Sequence, residues 1–219
     1  MLHFHIVTLF PEAIEPYLSS SILGRAREKK LIKVSYYDPK KFAVGKHKRV
    51  DQRPYGGGPG MVLEPTAVLR AADAALKKAQ GKGKKAKGKP DVIFLSTDGQ
   101  TFDEAMAKKL SKKNDILLIS GRYEGVDARV QKILKAKKVS VGPYVLTGGE
   151  LPAATLIDAI ARFVPGVLGK IESLERSRVS SPEVYTRPDI LKWKGKAYKV
   201  PEVLKSGHHE KINAWKRQR

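Results

Sequence analysis

Short apolar runs of strand-forming residues recur along the chain, separated by stretches in which apolar residues return every three or four positions. HFHIVTLF (His3–Phe10) and LIKVSYYD (Leu31–Asp38) read as strands flanking Pro11–Lys30, with Pro11 at a helix start, so the chain opens as a βαβ unit. An irregular stretch from Pro39 to Pro65 leads into an alanine-rich helix, TAVLRAADAALKK. From Asp91 the alternation is regular: DVIFLS strand, TFDEAMAKKLSKK helix, DILLIS strand, VDARVQKILK helix, KVSVG strand, then a helix from about Gly149 to Val164. In that last helix Ala153, Ile157, Ile160 and Val164 fall on one face and predict core. Short apolar strands between amphipathic helices predict an α/β fold, a parallel sheet covered on both faces. After Gly169 the pattern weakens into polar, turn-rich KIESLERSRVSSPEVYTRP before a basic segment ending EKINAWKRQR. The expected organisation is an α/β domain over 1–169, a linker over 170–184 and a small basic helical module over 185–219.

Composition narrows the class. The longest apolar runs fall far short of the roughly 18 residues a membrane span needs, so no membrane association is expected. The amino terminus lacks a basic region and a small-residue cleavage site and reads as a first strand, not a signal peptide. The absence of cysteine excludes disulfides and thiolate-held metals and fits the cytoplasm. His208 and His209 are adjacent without further clustered ligands, and no protein-held metal site is expected.

Charge changes the picture most. The formal net charge is +21, and a domain that basic repels itself unless a polyanion is its usual partner. A lysine coat over every surface is the alternative, and distribution weighs against it. Pro39–Arg53 carries net +5, Lys77–Lys89 net +7 with no acid, and Lys170 to the end net +7. Such clustering favours a nucleic-acid surface. The Gly/Lys tract at 77–89 has the composition of a flexible connector and is not a place for catalysis.

Three loops leave the carboxyl ends of predicted strands: LSTDG (Leu95–Gly99), SGRYEG (Ser120–Gly125) and GPYVLTGG (Gly142–Gly149). Ligands of open parallel sheets bind at that end, so the three are expected to converge on one pocket. Neither GxGxxG nor GxxxxGK[ST] stands there, and the last loop runs into Glu150 instead of a lysine, which argues against a phosphate cradle. Glycines let backbone approach a flat ligand, with Leu95, Val141 and Leu146 as apolar walls. RPYGGGPGM (Arg53–Met61) is too rich in glycine and proline for regular structure, and reads either as a mobile loop or as a lid that approaches an RNA base.

Four motifs, RPYGGGPGM, SGRYEGVDARV, YVLTGGELPAATLIDAIARFVPGVLG and YTRP, closely resemble the bacterial tRNA (guanine-N1)-methyltransferases of the SPOUT class, and the similarity runs in order from LFPE to SGHHEKINAW. The resemblance implies a SPOUT fold with a deep trefoil knot, a homodimer with its active site between subunits, S-adenosylmethionine as methyl donor, and N1 of guanosine 37 in tRNA as acceptor. It allows Mg²⁺ alongside the RNA. By motif match the donor is held by Leu95, Ser96, Gly121, Tyr123, Glu124, Val141, Gly142, Tyr144, Leu146, Gly148, Gly149 and Pro152. Guanine N1 is protonated at neutral pH, so transfer needs a base for that proton and a cation near O6. Arg162 matches the family cation; read alone it is an i,i+4 ion-pair partner of Asp158 on a helix surface. The family carries its linker base as an aspartate, whereas SLERSRV places Arg176 or Ser177 there, leaving Glu175 as the nearest carboxylate and the candidate base. Pro143 and Gln52 also stand where the family commonly has acids. The basic carboxyl-terminal module, with Trp193 and Trp215, is expected to grip tRNA by stacking and phosphate contact. Two alternatives stay open: an RNA-binding protein of the same fold that has lost catalysis, and a methyltransferase acting on another RNA.

Overall fold

The first strand, β1 (Leu2–Val7), shows how the sheet divides its faces. Successive side chains point opposite ways, so Leu2, Phe4 and Ile6 enter one core while Val7 enters the other. The computed structural model describes residues 1–45, 48–81, 90–168 and 183–217. The chain forms two units, Met1–Leu168 and Gly169–Arg219.

After β1 a 3₁₀ turn at Pro11–Ala13 leads into α1 (Glu15–Leu18) and α2 (Ser21–Glu28), so the segment Pro11–Lys30, expected to start a helix at Pro11, holds three short helical pieces. Then come β2 (Ile32–Tyr37), the two-residue strands β3 (Asp51–Gln52) and β4 (Val62–Leu63), and α3 (Pro65–Gln80). The remainder of this unit is β5 (Asp91–Thr101), α4 (Glu104–Leu110), β6 (Asp115–Ile119), α5 (Ala128–Leu134), β7 (Lys137–Ser140) and α6 (Glu150–Ala161). Helix starts follow side-chain caps. Glu64 accepts from the amides of Thr66 and Ala67 ahead of α3, with Pro65 at the first helical position, and Asp103 accepts from Met106 N ahead of α4.

Five strands pair in parallel in the order β2-β1-β6-β5-β7. One face is covered by Leu18, Leu23 and Ala26, by Ala107 and Leu110 of α4, and by Ala153, Ile157 and Ile160 of α6. The other is covered by the alanine stripe Ala67, Ala71, Ala72 and Ala75 of α3 and by Val130 of α5. The sheet is therefore a middle layer buried on both sides, which is why β6 reads as the unbroken apolar run ILLI. Ala153, Ile157 and Ile160 are fully buried as the periodicity predicts, while α6 ends at Ala161, short of Val164.

β5 departs from expectation. The strand does not end at Ser96 but continues through a bulge to Thr101, its register against β7 shifting between Leu95 and Gln100. A side chain at Gly99 would place Cβ 2.4 Å from Val139 N, so only glycine lets the two backbones meet.

The second unit opens with a hairpin in addition to the helices foreseen there: β8 (Ile190–Trp193) and β9 (Lys196–Lys199) pair antiparallel around Lys194-Gly195, both at positive φ. Helices α7 (Glu202–Lys205) and α8 (His209–Arg217) follow. Of the linker expected over 170–184, residues 170–182, Glu175 among them, lie outside the described residues, as do Lys82–Lys89 of the basic tract.

Gly24 of α2 is buried, and a Cβ there would sit 2.3 Å from Ser19 O. Alanine gains about 1 kcal/mol of helix propensity, whereas forcing α1 and α2 apart costs about 1–3 kcal/mol or more. Gly24→Ala is therefore expected to lower the urea midpoint; a midpoint at or above wild type would show that the α1–α2 turn yields freely.

Candidate active site

Three segments at the carboxyl ends of strands meet in one cleft. β5 supplies Leu95, Ser96 and Thr97, the loop after β6 supplies Gly121–Val126, and the loop after β7 supplies Val141, Gly142, Tyr144–Gly149 and, in α6, Pro152. All twelve residues matched to the donor site line it, around a cavity of about 210 Å³. The grouping follows from the parallel sheet: β5, β6 and β7 are neighbours in space, so their exits are neighbours too.

Close backbone approach shapes the walls. Gly149 N donates to Gly121 O at 2.8 Å and Ser120 Oγ donates to Gly149 O at 3.2 Å, locking the two loops together. A Cβ on Gly149 would lie 2.6 Å from Ser120 Cα, and one on Gly148 would lie 2.5 Å from both Arg122 Nε and Glu150 Oε2. One on Gly142 would run into the Tyr144 ring at 2.3 Å, while Tyr144 OH donates to Val141 O at 3.1 Å. Tyr123 holds φ +60, the left-handed conformation uncommon outside glycine, and is 53% exposed.

The loops are pinned by a buried charge pair that the sequence reading passed over. Glu150, 2% exposed, accepts from Thr8 Oγ1 at 2.7 Å, and its Oε2 lies 2.9 Å from Arg122 Nε. That last pair lacks hydrogen-bond geometry, so Coulomb attraction holds it. Arg122 also donates from Nη1 to Thr147 O at 3.3 Å and lies over the Phe10 ring, 4.6 Å from its centroid. Glu150 opens α6, where the positive end of the helix dipole further favours its charge. The available sequence signal was an acid directly after Gly-Gly at an apolar helix start.

On β5, hydrogen bonds from Lys138 and Ser96 hold the Asp98 carboxyl below its usual range. The RPYGGGPGM segment reaches the cleft at its end: Glu124 N donates to Met61 O at 2.9 Å, and Gly60 is so close that a Cβ would touch the Glu124 side chain at 2.6 Å. Its tip is open, with Tyr55 fully exposed.

Arg162 is not among the cleft residues. It caps the carboxyl end of α6, its amide donating to Asp158 O at 3.2 Å, and borders a separate hollow with Ile14, Tyr17, Leu151 and Asp158. The Asp158 carboxylate accepts from Tyr17 OH. In the second unit Trp193 and Tyr198 are largely exposed beside Lys192, Lys194, Lys196 and Lys199, and Tyr185 meets Trp215 with ring centroids 6.2 Å apart. In the β8–β9 register Trp193 pairs with Lys196 and Leu191 with Tyr198, so an aromatic and basic face lies opposite one that carries Lys192 and Lys199.

Residues 2–219 match the family model described as tRNA (guanine-1)-methyltransferase TrmD. The chain is 41% identical over 221 residues to a tRNA (guanine-N(1)-)-methyltransferase of Clostridioides difficile, covering 99% of this chain and 91% of that protein. It is 42% identical over 217 residues to one of Alkaliphilus oremlandii, covering 97% and 84%. Against one of Haemophilus influenzae it is 43% identical over 215 residues, covering 96% and 83%.

Removing one member of a buried ion pair strands the other, at a cost of about 3–5 kcal/mol. Arg122→Met is expected to lose stability on that scale in urea titration, since the carboxylate it abandons is only 3% exposed at the side chain. Adding Glu150→Gln should recover more than half of the loss; strictly additive losses would show that the two residues are not coupled.

Proposed function

The chain belongs to the tRNA (guanine-1)-methyltransferase family, and on that premise we propose that it transfers a methyl group from S-adenosylmethionine to N1 of guanosine 37 in tRNA, with the donor held in the cleft between the exits of β5, β6 and β7. The carrying observation is the convergence of all twelve family-matched residues on that one cleft. Its chemistry suits the donor: apolar walls from Leu95, Val141 and Leu146, glycines that expose backbone donors and acceptors, and no lysine on the lining. When bound, S-adenosylmethionine supplies an electrophilic methyl group on a sulfonium centre. The chain's own task is to orient guanine and to manage one proton.

The N1 proton is assigned to Glu175 of the linker, and Arg162 stabilises the charge that grows on O6 as the proton leaves. Arg162 lies ten residues beyond Pro152, about 15 Å along the helix axis at 1.5 Å per residue. An arginine so far from its own cleft serves the reaction best from a second copy of the chain. A homodimer with its active site at the interface meets that requirement. Tyr17 and Leu151, 52% and 59% exposed beside the Arg162 hollow, supply apolar surface for such a contact. The basic second unit grips the tRNA, with any Mg²⁺ held by the RNA. No helix among the described residues is long and apolar enough to cross a membrane, and the cytoplasm is the proposed location.

Labelled methyl should enter an unmodified transcript with guanosine at position 37 and not the same transcript with that base replaced. Incorporation into neither, with donor and tRNA both bound, would select an RNA-binding protein without catalysis; incorporation into both would select another target. Glu175→Gln and Arg162→Ala are each expected to lower kcat at least about 100-fold, the lower range for a positioned acid–base group or an electrostatic stabiliser, with donor Kd within about twofold of wild type. Unchanged turnover in either variant removes that residue from the chemistry.

A further inference from the structure

The amino-terminal end of the sheet carries a cluster that methyl transfer does not use. His3 and His5 stand two positions apart in β1, so both rings leave the sheet on the face opposite Phe4 and Ile6. They are 9% and 1% exposed, with ring centroids 3.8 Å apart. Asp115, the first residue of β6, is in register with His3. Each imidazole has one nitrogen beside a hydroxyl of β2: His3 Nε2 is 2.9 Å from Ser35 Oγ, and His5 Nδ1 is 3.0 Å from Tyr37 OH. The two remaining nitrogens face the same carboxylate oxygen. His5 Nε2 lies 2.9 Å from Asp115 Oδ1 and His3 Nδ1 lies 3.7 Å from it, too far for a hydrogen bond.

We infer that His3 Nδ1, His5 Nε2 and Asp115 Oδ1 bind one transition-metal ion of the zinc class, with Ser35 and Tyr37 orienting the two rings. Ligands about 2.0–2.1 Å from a tetrahedral zinc are about 3.4 Å apart. The observed 2.9 and 3.7 Å bracket that value, and the three residues offer one ligand atom each within 4.8 Å of one another. Small side-chain shifts suffice. A hydrogen-bonded network without an ion leaves the His3 nitrogen short of the carboxylate, whereas an ion among the three satisfies every one. The hydroxyl on the far nitrogen of each ring is the arrangement that fixes tautomer and orientation in metal-binding histidines.

Proton competition is weak. Burial, together with His5, Lys33 and Lys78, pushes His3 down to about 3, and burial lowers His5 against the opposing pull of Asp115. Both rings are then neutral at pH 7 with lone pairs available. Lys33 and Lys78 repel any cation here, and one carboxylate does not neutralise a divalent charge, so Mg²⁺ and Ca²⁺, which depend on oxygen ligands, are excluded in favour of ions with imidazole affinity. Ser120 at the cleft lies five positions beyond Asp115 along β6, about 16 Å at the rise of a parallel strand. The ion's role is a clasp across β2, β1 and β6, apart from the reacting groups.

The test uses full-length protein cleared of metal by a chelator and titrated with Co²⁺, read by its visible d–d absorption, then with Zn²⁺ by calorimetry and melting temperature. One equivalent per chain is expected, with Zn²⁺ displacing Co²⁺ and raising the melting temperature. His3→Gln and Asp115→Asn should each weaken Co²⁺ binding by more than about tenfold, the effect of losing even an outer partner, and a His208→Ala, His209→Ala double variant should bind as wild type. No cobalt spectrum in the folded wild type overturns the site, as does binding that survives His3→Gln but is lost with the terminal histidines. Should neither ligand variant fold by circular dichroism, Ser35→Ala, which keeps all three ligands, is expected to weaken Co²⁺ binding about tenfold at unchanged stoichiometry; unchanged affinity then overturns it.

Discussion

Glu150 is the one acid buried among the described residues, and its burial organises the cleft. Removing a carboxylate from water costs several kcal/mol unless charge and hydrogen bonds replace the lost hydration. Arg122, Thr8 and the amino terminus of α6 replace it, and they come from three strands' exits. The requirement is geometric as well as energetic. If the loop before α6 shifted by one residue, the carboxylate would leave both partners and an uncompensated charge would remain inside. Gly148 and Gly149 lack side chains because Arg122, Glu150 and the Ser120–Gly121 backbone already fill the space a Cβ would need. A trefoil knot, as the resemblance implies, would need such a passage of one loop against another.

What the sequence made legible follows from periodicity and local chemistry. The short apolar run of β6 and the stripe Ala153, Ile157 and Ile160 of α6 report burial directly, so the layered sheet could be read without coordinates. The three glycine-rich loops were likewise legible, because their place after parallel strands determines where they meet. β5 was misread beyond Ser96, since a bulge makes its pairing from backbone contacts at Gly99 and leaves STDGQT without a hydrophobic pattern. The β8–β9 hairpin left no alternation either, its residues being exposed throughout. The pairing of Arg122 with Glu150 was illegible for a different reason: a chain so rich in cations offers many partners for one acid, and only the fold selects among them. His3 and His5 passed as ordinary members of a strand, although spacing by two puts them on one face.

Charge is partitioned within the molecule in a way composition alone conceals. The chain carries net +21, yet only Arg122 and Glu124 are charged among the residues lining the cleft, and Arg122 is matched by Glu150. The excess is found elsewhere, in Pro39–Arg53, the Lys77–Lys89 tract and the carboxyl-terminal segment. A sulfonium donor carries positive charge and would be repelled by the lysines that suit a phosphate. A tRNA backbone needs those lysines to compensate the phosphates it brings. On the proposed reading the donor cleft is built from glycine, apolar side chains and an internally neutralised pair, while the excess cations belong to other segments of the chain. The short step from Gly149 to Glu150 is where that choice is made: a lysine there would favour phosphate, while the acid consumes the positive charge of Arg122 and of the helix terminus and leaves no net positive charge on the lining.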